Sequence, residues 1–148
     1  MIQAATPSLI SQATDIVATM EGAWNRHDMK AYGTLFEDQA DFVNVVGMHW
    51  KGRAEIVAAH IRLHETIFRD TSIRALQVDA NLLTPDVALA HISWEMNGAH
   101  SIEKLQMQQV RTGVMSLVLR PAPDSKNGWR IASLHNTEVV PVSMADLK

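Results

Sequence analysis

Residues 40–68 read ADFVNVVGMHWKGRAEIVAAHIRLHETIF, and the period of their apolar positions changes halfway along. Phe42, Asn44 and Val46 alternate with Asp41, Val43 and Val45, which is the period of two of a strand, and the alternation stops at Gly47. Met48 to Lys51 can return as a brief second strand. Gly52 then releases the chain, and from Arg53 to about Phe68 the spacing is that of a helix. At about 100° per residue Ile56, Val57, Ile61, Ile67 and Phe68 share an arc of roughly 140°, with His60 and His64 near its middle. Arg53, Glu55, Arg62, Glu65 and Arg69 fall outside it. Both histidines therefore point where the apolar residues point.

Upstream of this stretch the pattern is helical. Leu9, Ala13, Ile16, Val17, Met20 and Trp24 recur at steps of three and four, with Thr6 and Pro7 where a helix start favours them, so a first helix is expected from about Pro7 to Arg26. Asp28 reads as the N-cap of a short second helix carrying Met29, Tyr32, Leu35 and Phe36, closed by a polar turn at Glu37-Asp38-Gln39. Downstream the chain reads as strands: Ser72 to Leu83, Val87 to Met96, Met107 to Arg120 and Trp129 to Val139. Turn formers separate them at Thr84-Pro85-Asp86, Asn97-Gly98 and Pro121 to Gly128. Helices segregated from hairpin-connected strands argue an α+β fold, with three helices packed on a curved antiparallel sheet. Several strands are apolar on both faces; Ala88, Ala90, Ile92, Trp94 and Met96 oppose Val87, Leu89 and His91, while Val114 and Val118 oppose Met115, Leu117 and Leu119. A second apolar face needs a cover, and a homodimer supplies it.

At 148 residues the chain has the length of one domain, here taken as residues 1–148. A hydrophobic fraction of 47% with 20% charged residues supports a sizeable core and excludes a disordered chain. Thirteen Lys and Arg against sixteen Asp and Glu leave a net charge of −3 with no basic block, so no nucleic acid partner is expected. Cysteine is absent, which removes disulfides, thiolate metal sites and cysteine nucleophiles together. No membrane-spanning run or signal peptide pattern appears, so a cytoplasmic protein without membrane contact is expected. No G-x-S-x-G elbow, P-loop or dinucleotide fingerprint is present, and no cofactor is expected.

The segment AWNRHDMKAYGTLFEDQADFVNVVGMHWKGRAEIVAAH (Ala23 to His60), the Phe68-Arg69-Asp70-Thr71 that follows, and GWRIASLHNT (Gly128 to Thr137) resemble the NTF2-like superfamily. Within it they resemble the SnoaL-like proteins of the SgcJ/EcaC type. That resemblance implies a cone-shaped, cystatin-like α+β fold whose helices and sheet enclose one pocket, usually in a homodimer. It also implies a range of chemistries, from isomerases, dehydratases and polyketide cyclases to plain binding modules. In ketosteroid isomerases of this fold the general base is an aspartate three residues before the glycine that ends the first strand. Asn44 holds that place before Gly47, and an amide cannot take a proton from a carbon acid.

Acid–base chemistry then falls to His60 and His64 as candidate catalytic residues. They stand either as pocket-lining groups that bind or protonate a ligand, or as core histidines bonded to backbone or to one another. Their i, i+4 spacing would also suit a metal, but a third ligand is not evident beyond His91 and His135, and metal-free protein is expected. Asn44, Trp50, Tyr32, Trp94 and Asn136 are the candidate ligand-binding residues. Asn44 is an amide among apolar neighbours. Trp50 stands beside a glycine-rich hairpin as a lip residue, Tyr32 and Trp94 offer apolar walls, and Asn136 shares parity with Ala132 and Leu134. Arg111, in mid-strand, either binds an anionic group or pairs with Asp79 or Glu95 on an adjacent strand. The expected function is binding of a small apolar or aromatic molecule, with cofactor-independent acid–base catalysis of cyclase, isomerase or dehydratase type. The alternative is a non-catalytic ligand-binding or dimerisation module.

Overall fold

A computed structural model describes residues 7–100 and 110–147. Helix α1 (Leu9–Asn25) buries Ala13, Ile16, Val17, Met20, Ala23 and Trp24, the stripe expected from their spacing. It starts two residues later than expected, because the cap is Ser8, whose Oγ accepts from the Ser11 amide at 3.1 Å. Helix α2 (Met29–Gly33) begins behind Asp28, whose carboxylate accepts from the Ala31 amide at 3.0 Å. Between the two helices His27 takes a left-handed backbone with φ of 57°. Glycine usually occupies this place after a helix.

Strand β1 (Phe36–Val43) starts four residues before the expected position and absorbs Glu37-Asp38-Gln39. Two of these polar residues find partners outside the core: Glu37 pairs with Arg120, and Asp38 with Arg53 at 2.9 Å. Strand β1 also ends early, at Val43, so Asn44 to Met48 form the turn into β2 (His49–Lys51). Helix α3 (Arg53–His64) is four residues shorter than expected. The Phe68 amide donates to the Leu63 carbonyl at 2.8 Å and folds the chain back over the helix end, so Ile67 and Phe68 reach the core from turns. Ile61 is correspondingly 38% exposed, and the buried face of α3 is Ile56, Ala59, His60 and His64.

Strands β3 (Ser72–Thr84), β4 (Val87–Asn97), β5 (Val110–Pro121) and β6 (Trp129–Glu138) form an antiparallel meander. The expected start of β5 at Met107 lies outside the described residues. The six strands run in the order β2-β1-β6-β5-β4-β3. The sheet is mixed rather than wholly antiparallel, since β1 and β6 are parallel neighbours. A parallel pair needs a crossover, and the rest of the chain supplies it.

Helix α1 lies on β3, α3 lies on β1 and β2, and α2 packs against both other helices. Between these helices and the sheet sits a core in which Phe36, Ile56, Ile92, Leu117, Leu119 and Ile131 are fully buried. Each such side chain contributes about 1.5–3 kcal/mol by leaving water. The other face of the sheet mixes Leu89, Val114 and Val118 with His91, Ser93, Ser116 and His135, so it is less apolar than the two-faced pattern suggests. Among the described residues no helix is long and apolar enough to cross a membrane.

Candidate functional site

The helices and sheet leave a hollow of about 140 Å³ between them. An apolar cavity of about 150 Å³ is large enough for benzene. Val46 and Met48, both more than half exposed, stand at its rim on the β1–β2 turn. Met20, Met96 and Met115 give it soft walls, which adapt to irregular shapes. His60, Asn44, Trp50, Tyr32, Trp94 and Asn136 all line this one hollow.

His60 is placed by α3 and fixed by its own turn. Its Nδ1 lies 2.8 Å from the Ile56 carbonyl, and a carbonyl only accepts, so Nδ1 carries the proton and Nε2 bears a lone pair. His60 makes no other hydrogen bond among the described residues, and it lines the hollow. Four rings surround the imidazole: Phe42, Tyr32, Trp50 and Trp24, with centroids 4.8, 5.0, 5.3 and 6.1 Å away. This apolar burial, only partly offset by the carbonyl, lowers the His60 pKa to about 4. At neutral pH the ring is therefore neutral.

His64 is also buried but is not part of the hollow's lining. The Trp24 ring packs edge-on against both histidines, with centroids 4.4 Å from His64 and 6.1 Å from His60. His64 Nδ1 meets His27 Nδ1 at 2.8 Å, and its Nε2 is buried without a partner. A proton on His64 Nδ1 leaves only a lone pair at that sealed position, whereas the other tautomer would bury an N–H with no acceptor. Burial, and then the charges of His27 and His60, lower the His64 pKa to about 4. The same contact explains the unusual backbone at His27, whose imidazole is held by the helix it faces. Nothing in the spacing of Arg26-His27-Asp28 announces that pair.

Asn44 tightens the turn at the rim. Its Oδ1 accepts from the Val46 amide at 3.1 Å and the Met48 amide at 2.8 Å, which leaves the amide nitrogen as its only group to offer. Asn136 is committed in the same sense, because its Oδ1 accepts from Trp94 Nε1 at 2.8 Å. Its inward direction follows from alternation with Leu134, although Ile131 and not Ala132 continues that face. A bulge opposite Val118 and Leu119 shifts the register between them. The Tyr32 hydroxyl has no partner among the described residues, and burial raises its pKa above the usual tyrosine value.

Arg111 lines the hollow and is 2% exposed. Among the described residues it pairs with Glu138 on β6, at 2.5 Å from Nε, and not with Asp79 or Glu95. Alternation decides this, since Asp79 and Glu95 point from the opposite face of the sheet, where Glu95 pairs with Arg74 at 3.0 Å. Gly113 was also not singled out by the sequence. An added Cβ there would lie 2.1 Å from the Trp94 ring and 2.6 Å from the Thr137 carbonyl, so the missing side chain is what seats the indole. Gly113→Ala is expected to cost about 1–3 kcal/mol by overpacking and to break the Trp94–Asn136 bond. Denaturant unfolding together with near-UV circular dichroism checks both, and an unchanged spectrum would count against this seating.

His91 and His135 stand on the outer face of the sheet, away from His60 and His64. Among the described residues no group of three or more His, Asp or Glu is placed to hold a metal ion. The lining contains no Asp or Glu among the described residues either.

A family described as "SnoaL-like domain" matches residues 14–141. An uncharacterised protein with a cystatin-like fold from Caulobacter vibrioides superposes with a TM-score of 0.78 at 28% identity, over 90% of this chain and 92% of that one. An NTF2-like superfamily protein from Salmonella enterica gives 0.72 at 19% identity, over 90% and 92%. A ketosteroid isomerase-like protein from Erwinia carotovora atroseptica gives 0.67 at 16% identity, over 92% and 100%. No curated protein matches the sequence.

Proposed function

We propose that this chain, which belongs to the SnoaL-like domain family of the NTF2-like superfamily, holds a small apolar or aromatic molecule in the hollow between α3 and the sheet. One observation carries the reading: a neutral imidazole, its Nδ1 bonded to backbone and its Nε2 lone pair unspent, in the lining of a hollow walled by aromatic rings and methionines. Such a group accepts a hydrogen bond from a ligand hydroxyl, and on the facing wall the Asn136 amide nitrogen donates to a ligand oxygen. Nuclear magnetic resonance titration with toluene and benzyl alcohol tests it. His60→Gln is expected to weaken benzyl alcohol binding by about 0.5–1.5 kcal/mol, the worth of one neutral hydrogen bond, and to leave toluene unchanged. Failure of both probes to bind would remove the proposal.

The same arrangement supports proton transfer without a cofactor. His60 would take a proton from the ligand and return it, while Asn136, Asn44 or the Tyr32 hydroxyl stabilises the oxygen on which charge develops, as a cyclase, isomerase or dehydratase step requires. Accelerated exchange of the α-protons of an aryl ketone in deuterium oxide, abolished in His60→Gln, is the expected sign of catalysis. The second reading, a non-catalytic binding or dimerisation module, is favoured by the lack of a carboxylate among the described lining residues. We place the contact of a homodimer on the outer sheet face around Leu89, Val114 and Val118. Light scattering is expected to give twice the 16.4 kDa chain mass at micromolar concentration, and a 16.4 kDa monomer would end this assignment.

A further inference from the structure

We propose that the free edge of the sheet, residues 77–82 of β3, pairs antiparallel with the same residues of a second copy of this chain. Strand β3 runs for 13 residues and has a hydrogen-bonded neighbour, β4, on one side only. An open edge is normally blunted by lysine, by proline or by a covering element. The first half of this one is covered. The Asn25 side chain accepts from the Ile73 amide at 2.8 Å and donates to the Ile73 carbonyl at 3.0 Å, and the Glu21 carboxylate accepts from the Ala75 amide at 2.8 Å. Helix α1 crosses the sheet away from this edge, since Gln12 near its start accepts from Trp129 Nε1 on β6 at 3.0 Å. The second half of the edge is therefore uncovered by α1, with Leu82 and Leu83 more than half exposed and neither lysine nor proline in residues 72–84.

Which backbone groups point outward follows from the ladder. The Thr112 carbonyl is turned toward β6, where it accepts from the Val139 amide at 2.8 Å, so Gly113 turns toward β4 and its partner Trp94 toward β5. Ser93 and His91 then face β3, where they meet Gln77 and Asp79. Val78, Ala80 and Leu82 are left with their N–H and C=O groups aimed away from the sheet, without a partner among the described residues. The register shift at Leu76 sets this phase, because before it Ile73 and Ala75 are the outward residues. With Ala80 opposite its own counterpart, Val78 meets Leu82 and Leu82 meets Val78, and each pair exchanges two backbone bonds. Those pairs are apolar on the helix side of the sheet. On the outer side Asp79 falls opposite Asn81, whose amide can donate to the carboxylate. Centring the pair on Asp79 would oppose two carboxylates, and centring it on Asn81 would set Asp79 against Leu83, where the register with β4 slips. The edge is complementary to itself in one register.

A contact of a few strand residues is weak, below the roughly 1,200 Å² of stable complexes, and it uses none of the outer-face side chains around Val114. Sedimentation of the full chain is therefore expected to show the mass rising about twofold between micromolar and millimolar concentration. In a mixture of labelled and unlabelled chains, isotope-filtered nuclear magnetic resonance is expected to show the Asp79 α-proton of one copy against the Asn81 α-proton of the other. Asn81→Lys is expected to tighten the association about threefold and Asn81→Asp to weaken it about threefold, opposite signs that damage to the fold cannot give. Ala80→Pro removes an outward N–H, which an edge strand tolerates, and is expected to abolish the rise in mass with circular dichroism unchanged. The Asn81 variants and the contact between copies decide the matter even where Ala80→Pro unfolds. A mass that stays constant up to millimolar concentration would overturn the proposal and leave the edge to water or to a foreign strand. A rise that survives in folded Ala80→Pro, or that ignores the charge at position 81, would overturn it by assigning self-association to another surface.

Discussion

Lowering the pH from 7 to 5 is expected to reduce the unfolding free energy by about 2 kcal/mol through His60 alone. In the folded chain its pKa is lowered from 6.5 to about 4 by burial, and in the unfolded chain it returns to the ordinary value. Between those two values the unfolded state binds a proton that the folded state refuses, so stability falls as pH falls through this window. Above about pH 6.5 neither state is protonated and the group contributes nothing further. His64 adds a smaller amount of the same sign, since its ring is shifted in the same direction and meets solvent through exposed His27. Carboxylates act elsewhere on the scale. Asp70 and Asp124 are held below the usual range by His100 and Arg130, and their contributions are lost only under more acidic conditions. Denaturant unfolding at both pH values, on the wild type and on His60→Gln, isolates the effect. The variant should lose most of the pH dependence, and a wild type equally stable at pH 5 and 7 would contradict burial of neutral imidazole.

That this group was readable from the sequence follows from helical periodicity. His60 stands four residues after Ile56 on a helix whose charged residues fall elsewhere, and no other feature was needed to turn it inward. Asn136 was readable for the analogous reason in a strand. The start of β1 was not, because Glu37-Asp38-Gln39 look like a turn until Arg120 and Arg53 arrive from distant parts of the chain to pair with them. Arg111 and Glu138 are 27 positions apart and meet only through the β5–β6 pairing, so local pattern could not join them. Gly113 carries no side chain to suggest a role, and its meaning lies in the indole of another strand. That His64 packs against Trp24 and His27 rather than lining the hollow likewise depends on residues distant in the chain. Periodicity reports which way a residue faces. It does not report what stands in front of it.

Trp24→Ala is expected to be the most damaging single truncation in the chain, at about 3–5 kcal/mol. The indole is 6% exposed, touches Tyr32, His60, His64 and Phe68, and donates from Nε1 to Thr71 Oγ1 at 3.0 Å. Thr71 Oγ1 in turn donates to the Phe68 carbonyl, so the same ring fixes the turn that follows α3. Trp24→Phe keeps most of the apolar contact and loses the hydrogen bond, and about 1–2 kcal/mol is expected for it. Denaturant unfolding of the two variants separates packing from bonding; equal losses would show that the hydrogen bond, and not the ring volume, sets the cost. The truncation also changes the hollow, because the indole lines it and packs against both His60 and His64. With it removed, the lone pair at His64 Nε2 would join the space reached from the mouth. A destabilised Trp24→Ala chain should therefore bind a bicyclic probe such as naphthalene better than the wild type does, since an apolar cavity left by truncation takes an apolar guest. Equal or weaker naphthalene binding would mean that the core collapses into the vacated space.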